Sequence, residues 1–255
     1  MNALLRTEQL AIGYQVPLIP AFDLALPEGQ LVALLGVNGI GKSTLLRTLA
    51  GLQRPLQGRA LINDADLHRL SAAERARTVS VVLTERTAPP LMDVRSLVAL
   101  GRQPWTDRFG ALTASDRAHV EQALEQAGVQ HLAGRALDAC SDGERQKAFI
   151  ARAIAQDTPL LLLDEPTAYL DLPNRSAIVR LLRSIARESR RLVLFSTHDI
   201  QLAVDLCDAL LLLRPGMPPW SGSPADAVNG GLLEEAFTGS GLHFDRSTGT
   251  HRYMH

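Results

Sequence analysis

The sequence predicts an α/β fold: a parallel-sheet core with short β-type stretches ahead of it and a mainly helical segment set into its middle. Three observations carry that expectation. Leu31–Leu35 is a continuous apolar run, as a strand buried on both faces of a parallel sheet requires, and a helical stretch follows at Lys42–Ala50. From Leu160 onward, strand and helix patterns alternate. Between these halves, from Asp93 to about Ile154, the pattern is mostly helical.

Taken in order, the first elements are the β-type stretches Leu10–Tyr14, Phe22–Leu26, Leu31–Leu35 and Ala60–Ile62, separated by turn residues such as Pro27–Gly29 and Gln57–Gly58. Gly51 stops the helix that begins near Lys42. In the helical stretch, Thr113 is an N-cap candidate with Asp116 three residues on; Ala118, Ala123, Leu124 and Ala127 follow at helical spacing, and Gly128 ends the run. The second half reads as strand 160–163, helix about 175–188, strand 192–196, helix about 199–206 and strand 209–213. Residues from about 215 to 255 form a variable tail rich in Gly, Pro and Ser. With no repeat and no linker, residues 1–255 read as one folded unit, with the helical part, about 93–154, inserted.

Composition excludes several classes. The chain has 255 residues, 46% of them hydrophobic, and 26 Lys plus Arg against 27 Asp plus Glu. That apolar content with so little net charge rules out disorder, and the length allows a folded chain to bury about 70–75% of its unfolded surface. Balanced charge argues against non-specific binding to nucleic acid or anionic lipid, so nucleic acid is not an expected partner. Cys140 and Cys207 stand in no metal-type spacing and read as reduced thiols. The start MNALLRTEQL has no basic-then-apolar signal pattern, and no apolar run reaches the ~18–20 residues that span a bilayer. A cytoplasmic chain without its own membrane span is the expectation.

The strongest motif is Gly36-Val-Asn38-Gly39-Ile-Gly41-Lys42-Ser43-Thr44, a match to G-x-x-x-x-G-K-[ST] between a strand and a helix. Glycines let such a loop turn its N–H groups inward, and the following helix adds the positive end of its dipole. Lys42 then reaches the β and γ phosphates of a nucleotide, and the Ser43 hydroxyl can ligate Mg²⁺. A second signal is the apolar strand 160–163 ending in Asp164-Glu165. At the carboxyl edge of an open α/β sheet, Asp164 can steady Mg²⁺ while Glu165 orients or deprotonates an attacking water. Third, Cys140-Ser141-Asp142-Gly143-Glu144-Arg145-Gln146 precedes a helical run. Ser141 with Glu144 forms a capping box, and the same helix start can receive a phosphate through Ser141, Gly143 and the dipole.

A phosphate loop, S-x-G-E-x-Q roughly 100 residues later, an Asp-Glu strand end and His198 after the next strand together resemble the ordered motifs of ATP-binding cassette (ABC) ATPases, over residues 4–215 or so. The resemblance implies an ABC-type P-loop core with an N-terminal antiparallel β subdomain and an inserted helical subdomain. It implies ATP and Mg²⁺ as cofactors and a head-to-tail homodimer in which Ser141 closes over ATP held by the other subunit. Further roles follow residue by residue. Tyr14 matches the aromatic that stacks on adenine, Glu165 the catalytic carboxylate and His198 the histidine that touches the γ-phosphate. Tyr169-Leu-Asp171 matches the segment that crosses the dimer interface.

Two departures stand out. The family's Mg²⁺-ligating, partner-sensing glutamine aligns here with Thr84 or Glu85, and the signature carries Cys140 and Asp142 where leucine and glycine are usual. Asp142 is expected to face away from the nucleotide, because its charge would oppose a phosphate there. Val94-Arg-Ser-Leu-Val-Ala-Leu-Gly-Arg-Gln-Pro104-Trp105 resembles the permease-contacting region of ATPases that serve importers of ferric siderophores, haem and cobalamin. That likeness implies a peripheral subunit at the cytoplasmic face of the cell membrane. Its partners would be separate integral membrane permease chains and, indirectly, an extracytoplasmic substrate-binding protein. A cytosolic ABC ATPase without a transporter, and an ATP-binding regulatory subunit with weak turnover, are the alternatives.

Overall fold

The computed structural model describes residues 3–84 and 91–237 and the strands 242–245 and 250–253. In chain order, β1 (Ala3–Gly13) and β2 (Pro17–Pro27) form a hairpin, and β3 (Leu31–Leu35) passes through a glycine-bearing loop into α1 (Lys42–Leu49). Next come β4 (Gln57–Ile62), β5 (Ala65–Asp66), α2 (Ala72–Ala76) and β6 (Val79–Val82). The helical segment is α3 (Val94–Ala99), a 3₁₀ turn at Leu100–Trp105, α4 (Ala114–Gln126) and α5 (Asp142–Ala155). Strand and helix then alternate as β7 (Leu160–Leu163), α6 (Leu172–Glu188), β8 (Leu192–Ser196), α7 (Ile200–Leu206) and β9 (Ala209–Leu212). The tail holds β10 (Trp220–Gly222), α8 (Pro224–Asn229), α9 (Leu232–Ala236) and the pair β11 (Leu242–Asp245) and β12 (Thr250–Tyr253). Among the described residues, no helix is long and apolar enough to cross a membrane.

Two sheets organise these elements. The first is antiparallel, in the order β2-β1-β4-β5, as expected for the N-terminal part. The second runs β10-β9-β3-β8-β7-β6, parallel throughout except for the edge strand β10. Every residue of β3, β7 and β9 is buried, which is why these strands are unbroken apolar runs in the sequence. Successive side chains nevertheless serve different cores. Leu31, Ala33, Leu35, Leu161, Leu163, Val193 and Phe195 face the helical segment and α6, whereas Val32, Leu34, Leu160, Leu162, Leu192 and Leu194 face α1 and the antiparallel sheet. The helical segment therefore shares one continuous core with a face of the parallel sheet.

Several boundaries differ from the sequence reading. β1 starts at Ala3 rather than Leu10, because register shifts between Thr7 and Leu10, with Gln9 at φ 45°, break the alternation that marks a strand. α6 starts at Leu172, since Asp171 caps it by accepting a hydrogen bond from the Asn174 amide, and Pro173 is compatible with a first turn. The tail, read only as variable and rich in Gly, Pro and Ser, contains α8, capped by Ser223.

α5 positions the signature segment. Its second half buries Ala148, Phe149, Ile150, Ala151, Ala153 and Ile154, the helix packs on α3, α4 and the 3₁₀ turn, and the Arg152 guanidinium donates to the Val81 carbonyl and so ties α5 to β6. A buried ion pair locks the same region: Arg102 donates to Asp116 at 3.0 Å and to the Ala155 carbonyl at 2.8 Å. The Thr113 hydroxyl and amide, with Arg102, hold the Asp116 carboxyl down to about 2. Its ionised form therefore stabilises the fold above the unfolded-state value of about 4, and that contribution is lost as pH falls through about 2. Asp116→Ala is expected to cost about 3 kcal/mol at pH 7 by leaving Arg102 buried and unpaired. Paired denaturation curves should show this gap narrowing as pH drops from about 4 toward 2.

Candidate functional site

The site begins where β3 ends. Gly36, Gly39 and Gly41 all have positive φ, and a Cβ on Gly36 would lie 2.9 Å from the Leu213 carbonyl, so the loop can turn here only without a side chain. Gly41 caps α1 in the left-handed conformation, and no side chain satisfies the first amides of that helix. Free N–H groups at a helix start make an anion site. Lys42 is 7% exposed and donates to the Gly36 carbonyl at 2.8 Å and the Val37 carbonyl at 3.2 Å. Burial pushes its pKa down, opposed by the nearby charges of Glu165 and Asp164. Ser43 is half-buried and Thr44 buried on the first turn of α1, while Asn38 and Gly39 are exposed at the loop tip.

Parallel pairing brings the other groups to the same edge. β3, β8, β7 and β6 are neighbours, so the residues just beyond Leu35, Ser196, Leu163 and Val82 emerge side by side. Asp164 is buried; its amide donates to the Val82 carbonyl, its carbonyl accepts from the Thr84 hydroxyl at 3.0 Å, and its Oδ1 accepts from the Ser196 hydroxyl at 2.7 Å. Glu165 follows with φ 48°, its amide donating to Ser196 Oγ at 2.9 Å and its Oε2 lying 3.8 Å from His198 Nδ1. Lys42, Asp164, Glu165, Thr84 and His198 thus form one constellation.

Among the described residues, no group of three His, Cys, Asp or Glu side chains could hold a metal. The oxygen groups that could serve a cation are instead one buried carboxylate, Asp164, with the Ser43 and Thr84 hydroxyls. Such a hard-oxygen set fits Mg²⁺, which keeps waters and takes phosphate oxygens to complete its shell. Uncapped α1 amides beside Lys42 fit the phosphates themselves.

The remaining expected residues lie in three places. At the start of α5, Ser141 Oγ accepts from the Glu144 amide and Glu144 Oε2 accepts from the Ser141 amide, a closed capping box that holds the Glu144 carboxyl below its usual range. Gly143 is buried against Asn174 of α6, where a Cβ would come within 3.1 Å of the Asn174 side chain, so the Ser141 and Asp171 helix starts are adjacent. Asp142 is exposed. Beside Asp171, Tyr169 (86% exposed) and Leu172 (66%) present apolar surface. Tyr14 is exposed in the turn between β1 and β2, and Leu18 of that hairpin packs close to Gly41.

Trp105 is partly exposed; its indole donates to the Gln156 carbonyl at 2.8 Å, and the guanidinium groups of Arg77 and Arg102 lie 5.0 and 5.2 Å from its ring centre. It packs the 3₁₀ turn onto the end of α5. Glu85 lies outside the described residues. Ser196 is the site residue that motif reading missed. It carries no local spacing signal, because its partners lie across the sheet.

Comparison with known proteins follows the same lines. Residues 20–168 match the ABC transporter family. The achromobactin transport ATP-binding protein of Dickeya dadantii is 37% identical over 91% of this chain and 86% of its own length. The iron(3+)-hydroxamate import ATP-binding protein of Bacillus subtilis is 35% identical over 93% and 88%. Among solved structures, a metal-chelate type ABC transporter in an inward-facing conformation matches with a TM-score of 0.81 at 32% identity, over 93% of this chain and 89% of that one.

Proposed function

Because the chain belongs to the ABC transporter family, whose ATP-binding subunits are ATPases coupled to transport, we propose that it is the ATP-hydrolysing subunit of an importer for an iron chelate. It would work as a homodimer on the cytoplasmic face of a separate membrane permease that is supplied by an extracytoplasmic binding protein. The observation that supports hydrolysis most directly is the convergence of Lys42, Asp164, Glu165 and His198 on one sheet edge beside an uncapped helix start. A phosphate chain and its cation need this combination of fixed positive charge, N–H donors and two carboxylates in different roles.

In this reading the loop amides and Lys42 bind the phosphates, and Ser43, Asp164 and Thr84 hold Mg²⁺. When bound, that ion neutralises charge on the phosphate oxygens. Glu165 orients the attacking water and accepts its proton at the carboxylate, and His198, within 3.8 Å of Glu165, contacts the terminal phosphate. Tyr14 stacks on adenine from its exposed turn. The Ser141 helix start serves the other subunit's nucleotide, with Asp171 and the apolar pair Tyr169 and Leu172 at the interface between subunits. Asp142, exposed on that first turn, faces away from the phosphate. Trp105 and the Thr84–Glu85 segment contact the permease.

The cargo assignment draws on the iron-chelate relatives. Deleting the gene should abolish uptake of a labelled ferric siderophore and leave uptake of labelled cobalamin unchanged, with restoration by the intact gene. Loss of cobalamin uptake alone would reassign the cargo. Intact uptake of both, with ATP hydrolysis by the purified protein, would favour an ATPase outside transport.

A further inference from the structure

We infer that Ser196 is a positioning residue that couples the two carboxylates of the site, an inference that rests on the ATP-hydrolysing reading above. Ser196 closes β8, pairs with Leu34 of β3 and is fully buried. Its hydroxyl touches both functional residues at the end of β7, lying 2.7 Å from Asp164 Oδ1 and 2.9 Å from the Glu165 amide nitrogen. No motif that marks the site contains it.

Chemistry fixes the direction of both bonds. A hydroxyl has one proton and two lone pairs. The Glu165 amide can only donate, so it occupies a lone pair; the hydroxyl's one proton is left for its other partner and points to Asp164 Oδ1. Two consequences follow. Oδ1 is committed, which sets the rotation of the Asp164 carboxylate and leaves Oδ2 without a protein hydrogen bond among the described residues. The main chain of Asp164 is already fixed, by the Val82 carbonyl at its amide and by the Thr84 hydroxyl at its carbonyl, so Ser196 governs the side chain's remaining freedom.

Glu165 gains more. Its φ of 48° lies in the left-handed region that residues with side chains seldom adopt. Such a conformation persists where surrounding bonds hold it, and the Ser196 bond to the Glu165 amide is placed to do so. The side chain of Glu165 leaves the backbone in a direction set by that φ. One hydroxyl therefore ties the cation-side carboxylate to the water-side carboxylate, so that displacing either is felt by the other.

The test compares full-length wild type, Ser196→Ala, Ser196→Cys and Ser196→Thr. Manganese binding in the presence of ADP, read by electron paramagnetic resonance, reports the cation site without turnover. Steady-state kinetics separates kcat from KM for ATP, and thermal melts record stability. Ser196→Ala is expected to weaken ADP-dependent manganese binding about tenfold and to lower kcat by about 10- to 100-fold, with KM for ATP within about twofold, since the phosphate loop is untouched. Ser196→Cys, a weak donor of similar size, should fall between alanine and wild type and serves where the alanine variant does not fold. Ser196→Thr, which keeps the hydroxyl, should recover most of both signals.

A folded alanine or cysteine variant with wild-type manganese affinity and kcat, whatever its melting temperature, would overturn the inference. Equal losses in the alanine and threonine variants would do so too. If wild type itself shows no ADP-dependent manganese binding, the ATP-hydrolysing reading falls instead.

Discussion

Glu165→Gln is expected to reduce ATP turnover by at least about 100-fold while nucleotide binding persists and an ATP-bound dimer accumulates. The size follows from removing a general base, a contribution of about 10²–10⁴ in rate. Geometry explains why binding should survive. In the proposed function the loop amides and Lys42 supply the phosphate affinity, whereas the Glu165 carboxylate is held toward His198 by a backbone bonded to Ser196. Glutamine has nearly the same shape and keeps that backbone bond, so the fold loses little. It cannot accept a proton from water, and it removes one of two negative charges near Lys42. Single-turnover hydrolysis and size-exclusion chromatography with ATP and Mg²⁺ would measure the two effects. Near-normal turnover in this variant would remove Glu165 from the proposed mechanism.

How much of this was legible in the sequence depended on whether a residue's meaning was local. Leu31–Leu35, Leu160–Leu163 and Leu192–Ser196 carry their environment in their composition, because burial on both faces demands unbroken apolar residues; their ends match the reading residue for residue. The capping boxes at Thr113 and Ser141 are equally local, since both partners lie within one turn. The start of β4 was not legible. Its first three residues are exposed, and Gly58 sits at φ 74° against the Gln9 backbone, features that imitate a turn. In the tail, Ser223-Pro224 with Asp226 is a cap signal set inside a stretch rich in Gly, Pro and Ser.

The site divides in the same way. Gly36 to Thr44 and Asp164–Glu165 announce themselves through spacing, because phosphate binding and strand-end acids are built from consecutive residues. Ser196 acts on residues 31 and 32 positions away through sheet pairing, and only topology reveals that. Thr84 is intermediate. Its alignment with the family's glutamine was readable, but its bond to the Asp164 carbonyl depends on β6 lying next to β7.

Lys42→Ala is expected to weaken ATP and ADP binding by at least about 100-fold and to leave the nucleotide-free protein no less stable than wild type. Truncating one side of a buried, hydrogen-bonded charge contact costs about 2–5 kcal/mol in affinity. The fold itself gains little from this lysine. Burial pushes its pKa down despite two neighbouring carboxylates, so the folded protein carries a cation at a desolvation cost that the alanine variant avoids. The carboxyl groups keep other partners, Ser196 for Asp164 and His198 for Glu165. Thermal melts separate the two effects. Nucleotide at 100 times the wild-type Kd should stabilise wild type by about 2.7 kcal/mol, and a variant with 100-fold weaker affinity by only about 0.4 kcal/mol. Lys42→Arg should not rescue, because a planar guanidinium is too wide for an ammonium that sits between the Gly36 and Val37 carbonyls. A full nucleotide-induced shift in the alanine variant would mean that the phosphates are held elsewhere.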